Sequence, residues 1–211
     1  MNTEYFFTDQ FLNADLLQRV SDDKPLIDYP GYLINPNGDL LKDKTNPTLY
    51  NRYDDNSIVK RLLPDSMGEL IDLIQLQLKP YLERPVIYNY RVLIDNQIDP
   101  MHTSGRWHKD YNPIENFDDP TKQWITFFTL SDADVNSEFQ VSYTDEWPDI
   151  WNRGVRETLT NNKLFAHNMN LGHQYYQNDN NAVTMIYIRW YDKPQIKVDI
   201  GIQRSYNYGY D

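Results

Sequence analysis

Four histidines, His102, His108, His167 and His173, lie within residues 102–173 of a chain of 211 residues that contains no cysteine. Without thiolates, the metal chemistry left to the chain is that of imidazole and carboxylate, a donor set that suits iron, zinc, copper or nickel. His108-Lys-Asp110 supplies both donors at positions i and i+2. On a strand those two side chains point to the same face, so both can meet one ion. A third ligand must come from elsewhere in the chain, and His173 and His167 are the candidates. Two histidines and one carboxylate leave three faces of an octahedron open, which lets iron(II) hold a bidentate co-substrate and then oxygen. The His-x-acid pair alone is weak evidence, because acids make up about one residue in seven here. Solvated or hydrogen-bonded histidines at strand ends are the competing explanation.

The elements that would position these groups are legible from periodicity. Residues 8–22 predict a helix, with Phe11, Leu12, Leu16, Leu17 and Val20 at helical spacing and Thr8 or Asp9 as the cap. Residues 65–82 predict a second, with Met67, Leu70, Ile71, Ile74 and Leu78 as its apolar stripe and Asp65 or Ser66 as the cap. Between them the chain is rich in Asn, Asp, Pro, Gly and Tyr, read as loop with short strands such as 31–34. Residues 86–94 are β-branched and aromatic, a strand signature. Further strands are expected at 105–110, 124–130, 139–143, 163–167, 182–191 and 196–202, a short helix within 145–159, and a polar tail at 205–211. Two helices before a strand-rich half predict an α+β fold with the helices packed outside one sheet. The division is one domain over 1–211, with 1–85 as helical and loop support and 86–204 as the β core.

Composition narrows the function. A net charge of −11 argues against a broad nucleic-acid surface, which needs Lys and Arg to neutralise phosphates, and against docking to anionic membranes. No apolar run approaches a membrane span, and the N-terminal residues do not read as a signal peptide, so a cytoplasmic location is the default expectation. Aromatic residues reach 14%, and 17 are tyrosines, a composition suited to half-buried sheet surfaces and clefts.

Several stretches in order resemble the iron(II)- and 2-oxoglutarate-dependent oxygenases, including the prolyl-hydroxylase-like and phytanoyl-hydroxylase-like members. Tyr5-Phe-Phe-Thr-Asp-Gln-Phe-Leu12 is similar to their opening. Arg91-Val-Leu-Ile-Asp95 through Trp107-His-Lys-Asp110 is similar to their approach to the His-x-Asp strand. Trp124-Ile-Thr-Phe-Phe-Thr-Leu130 resembles the next core strand. Asn162-Lys-Leu-Phe165 followed by Leu171-Gly-His173 resembles the segment that ends in the distal iron ligand, which favours His173 over His167. The chain departs from the family pattern in three places. Asn136-Ser137 stands where a Gly-Gly is common, and His167-Asn168 where a Phe-Pro is. The stretch Asn180-Asn-Ala-Val-Thr184 lacks the Arg or Lys that usually binds the far carboxylate of 2-oxoglutarate.

The resemblance implies a double-stranded β-helix, or jelly roll, buttressed by the N-terminal helices. It implies Fe(II), 2-oxoglutarate and O2 as cofactor and co-substrates, with His108, Asp110 and His173 on the metal. Arg189 is the first choice for the carboxylate anchor, since a guanidinium gives a bidentate, permanently charged partner. Arg106, which shares strand parity with His108 and Asp110, and Arg91 are alternatives. Tyr90, Tyr88 and Trp107 are candidates to line the pocket, against the plainer reading of sheet packing. The implied reaction is hydroxylation of a peptide side chain or small metabolite. A non-catalytic jelly roll that has lost co-substrate binding, a cupin-like dioxygenase without 2-oxoglutarate, and a plain structural protein stay open.

Overall fold

The computed structural model describes residues 4–23, 32–34, 40–42, 48–50, 56–61, 63–94, 123–130, 138–142, 154–176 and 184–192. Its helices are α1 (Ala14–Asp22), α2 (Asn56–Arg61) and α3 (Asp65–Leu78). The first four strands are β1 (Tyr5–Thr8), β2 (Tyr32–Ile34), β3 (Leu40–Lys42) and β4 (Thr48–Tyr50). Then come β5 (Pro85–Ile94), β6 (Gln123–Leu130), β7 (Glu138–Ser142) and β8 (Gly154–Thr158). The last three are β9 (Lys163–Asn168), β10 (His173–Tyr176) and β11 (Thr184–Asp192). The predicted strands at 105–110 and 196–202 and the tail at 205–211 lie outside the described residues.

A six-stranded sheet runs in the order β1-β9-β6-β11-β5-β4, a three-stranded one in the order β10-β7-β8, and β2 pairs with β3. Every described pairing is antiparallel. From β6 onward the chain alternates between sheets: β6 large, β7 and β8 small, β9 large, β10 small, β11 large.

Alternation of side chains gives the large sheet two apolar faces. Trp124, Phe128, Leu164, Ala166, Ile186, Ile188 and Trp190 face the helices, where they meet Leu16, Val20, Met67, Leu70, Ile74 and Leu78. Ile125, Phe127, Phe165, Met185 and Tyr187 face the other way and pack with Val141 of β7 and Val155 of β8. The layers are therefore helices, large sheet and small sheet, and the second core fills the space between the sheets.

Three sequence expectations need correction. The first helix starts at Ala14, not Thr8, because residues 5–8 are spent on β1, which pairs with β9. Gln10 then takes φ 49°, a conformation that breaks any regular run, and Asn13 caps α1 by accepting from the Leu16 amide at 2.9 Å. The second helix ends at Leu78, before Pro80, and begins on Pro64 with no side-chain cap. Ser66 instead donates to Asp23, tying α3 to the end of α1. Within the expected short helix at 145–159, Gly154–Thr158 is a strand: its backbone completes the edge of the small sheet against β7.

The N-terminal part also contributes strands at both edges of the large sheet, β1 on one and β4 on the other. Asn162 holds the entry to α1 in place. It sits at φ 59° between β8 and β9, and its side-chain amide both donates to the Leu12 carbonyl and accepts from the Leu12 amide, each at 2.8 Å.

Candidate functional site

Strand register brings the polar groups of the inter-sheet space together. Ile125 of β6 is paired with His167 of β9 on one side and Arg189 of β11 on the other. All three belong to the face that meets the small sheet. Two strand spacings separate the histidine and arginine backbones, about 10 Å. One residue pair further along, Phe127 lies between Phe165 and Tyr187. Phe127 stacks on Phe165, with centroids 5.1 Å apart, and meets the Tyr187 ring edge-on, also at 5.1 Å. An aromatic wall thus bounds one side of a polar row.

His173 opens β10 on the small sheet, paired with Val141. A short turn from β9 delivers it: the Met169 amide bonds to Gln123 O at 3.0 Å and the Leu171 amide to Asn168 O at 3.0 Å. Its ring centre ends 4.6 Å from that of His167 and 6.5 Å from Phe127. Both imidazoles are buried, at 1% and 3% exposure. His167 Nδ1 lies 2.9 Å from the Asn168 carbonyl, which can only accept, so Nδ1 carries a proton and, in the neutral ring, Nε2 carries the lone pair. An imidazole oriented through one nitrogen by a carbonyl is the usual preparation for metal ligation through the other.

Arg189 is buried, and its Nε donates to the Tyr187 hydroxyl two residues back on the same face. Gln123, two residues before Ile125 on that face, is also buried, and its Nε2 has no hydrogen-bond partner.

Of the residues singled out in the sequence, His167, His173 and Arg189 thus share one inter-sheet space. Tyr90 is placed elsewhere: it pairs with Ile188 and packs in the helix-side core. A bulge lies beside it in β5. Arg189 pairs with Asn89 but Trp190 pairs with Ile87, so Tyr88 is an extra residue and parity changes along β5. His108, Asp110, Arg106, Trp107 and His102 lie outside the described residues. Among the described residues no group of three His, Cys, Asp or Glu is placed to hold a metal. The donors present still fit one as part of a set, since two buried imidazoles lie side by side, one with its tautomer fixed for ligation. Tyr187 and Gln123 were not anticipated. Tyr187 was discoverable from its i, i+2 relation to Arg189.

Solved structures share this fold. A prolyl hydroxylase from Trichoplax adhaerens, in complex with a hypoxia inducible factor oxygen degradation domain peptide fragment, superposes with a TM-score of 0.56 at 10% identity. The match covers 92% of this chain and 86% of that one. The non-haem alpha-ketoglutarate-dependent carbocyclase SnoK from nogalamycin biosynthesis gives 0.56 at 12%, over 90% and 80%. The related epimerase SnoN gives 0.56 at 13%, over 99% and 85%. The chain has the fold of the non-haem iron, 2-oxoglutarate-dependent oxygenases. No protein-family model and no curated protein matches the sequence. No helix among the described residues is long and apolar enough to cross a membrane.

Proposed function

We propose that this single-domain chain is an iron(II)- and 2-oxoglutarate-dependent oxygenase that hydroxylates a peptide side chain or a small metabolite. The observation that carries the reading is the 4.6 Å approach of His173, from the small sheet, to His167 on the large-sheet face that also carries Arg189, within an oxygenase fold. The alternation of β6 to β11 between two antiparallel sheets supports a double-stranded β-helix core.

His108, Asp110 and His173 would hold the metal, and Arg189 the far carboxylate of 2-oxoglutarate. The metal, when bound, supplies the redox chemistry that couples oxidative decarboxylation of 2-oxoglutarate to oxidation of the substrate. The chain's own residues do the rest. Arg189 offers a charged pair of donors to a carboxylate in a space from which water is largely excluded, where such a pair is stronger than in solvent. Phe127, Phe165 and Tyr187 close one side and limit water entry. His167 sets the wall beside His173, its ring fixed by the Asn168 carbonyl.

The test is release of succinate from 2-oxoglutarate by protein loaded anaerobically with iron(II), then exposed to oxygen. His173→Ala and Asp110→Ala should each abolish it. The proximity of His167 to His173 favours a second reading, a cupin-like dioxygenase with three histidine ligands and no 2-oxoglutarate. There Asp110→Ala would leave metal binding intact while His167→Ala would remove it.

A further inference from the structure

The guanidinium of Arg189 is not presented to the site at random. Its Nε is held by the hydroxyl of Tyr187, and its central carbon lies 5.4 Å from the centre of that ring. Tyr187 is 1% exposed and wedged edge-on against Phe127, which is itself stacked on Phe165. The phenol therefore has little freedom to swing, and whatever it holds is held in one orientation. A guanidinium has two edges that can grip a carboxylate with paired hydrogen bonds, one using Nε and one using the two terminal nitrogens. With Nε committed to Tyr187, a bidentate grip on a carboxylate would use the edge formed by the two terminal nitrogens.

We infer that Tyr187 is a positioning residue for co-substrate binding. It locks Arg189 so that the terminal nitrogens, and not the Nε edge, receive the far carboxylate of a 2-oxo diacid. This rests on Arg189 being the carboxylate anchor. Preorganisation is the physical gain: an arginine side chain free to sample its rotamers gives up that freedom on binding, whereas one already held gives up little. The Tyr187 hydroxyl need not touch the co-substrate.

The experiment is a double-mutant cycle read by calorimetry of 2-oxoglutarate binding to the manganese(II)-loaded protein. The variants are Tyr187→Phe, Arg189→Lys and the two combined. Phenylalanine keeps the ring and its packing, and melting curves of each variant report whether the fold is retained. Tyr187→Phe should weaken 2-oxoglutarate binding by about three- to tenfold, the size expected when one arginine side chain must be ordered on binding, with manganese(II) affinity unchanged. In the Arg189→Lys background, where no Nε exists to be held, the same tyrosine substitution should cost less than about twofold. If turnover is present, KM for 2-oxoglutarate should rise with kcat preserved. An equal loss in both backgrounds overturns the inference, because Tyr187 would then act independently of Arg189. No loss from Tyr187→Phe, alongside a clear loss from Arg189→Lys, overturns it while leaving the anchor in place. Undiminished binding in Arg189→Lys overturns the anchor itself, and the inference with it.

Discussion

Burial without partners is where single residues reveal what a site is kept for. The Gln123 Nε2 lies on the inter-sheet face with no hydrogen-bond partner, and a buried amide left so costs stability. Replacement by an apolar residue of similar shape removes that cost. Gln123→Met should therefore melt about 2–4 °C higher than the parent when both are ligand-free, corresponding to roughly 1 kcal/mol in a chain of this size. A fall of that size in differential scanning calorimetry would show that the amide supports the fold. The histidines make the complementary case. His173 and His167 were both legible as candidates, but their 4.6 Å approach was not, because it joins two sheets whose packing leaves no trace in local spacing. Tyr90, weighed between lining the pocket and sheet packing, packs in the helix-side core, beyond a bulge at Tyr88 that no residue in that stretch announces.

At the scale of elements, legibility followed length and periodicity. α3, β5, β6 and β11 each carry enough alternating or helical apolar positions to be read directly. β8 and β10, of five and four residues, were missed: such short strands are set by their neighbours more than by their own composition. What fixes short elements is specific polar chemistry, and that makes it testable. Asn162→Ala removes both bonds to the Leu12 backbone and places a residue with a Cβ but no compensating side-chain bonds at positive φ. The cost should be about 2–4 kcal/mol by urea unfolding, and Asn162→Gly should recover only the backbone part. Lys163 provides a second handle. Its ammonium is nearly buried and bonds to Glu157 of β8 at 2.8 Å and to Asp9 at 3.1 Å, linking the two sheets and the turn after β1. Burial pulls its pKa down, but the bonds to Glu157 and Asp9 outweigh that and hold it above the ordinary 10.5. A raised pKa in the folded state means the contribution is fully present below 10.5 and lost as pH rises through the higher folded value. Stability should therefore fall above about pH 10.5 in the parent. That fall should be shallower in Lys163→Met, as measured by urea midpoints from pH 8 upward.

The candidate ligand residues lie on opposite sides of a seam between two sheets. The large sheet is held from behind by the helices, with fully buried Met67, Leu70, Ile71, Ile74 and Leu78 packed on its outer face, while the small sheet meets it through the second core and the Lys163–Glu157 ion pair. His173 belongs to the small sheet and Arg189 to the large one. A metal bound at His173 and a diacid held between that metal and Arg189 would thus add a staple to two layers joined by apolar packing and the Lys163–Glu157 ion pair. Neither ligand alone spans the seam in this way, so the two together should stabilise more than the sum of each. At about a hundred times its dissociation constant, a ligand specific for the folded state adds roughly 2.7 kcal/mol. For a chain of this length that is a rise of about 5–10 °C in melting temperature. Manganese(II) with 2-oxoglutarate should reach that range, whereas 2-oxoglutarate without metal should give almost none. In Arg189→Lys the metal-only shift should persist and the extra shift from the diacid should shrink. Equal, additive shifts from the two ligands in the parent would mean that they bind separate places, and the inter-sheet site would not be where the co-substrate goes.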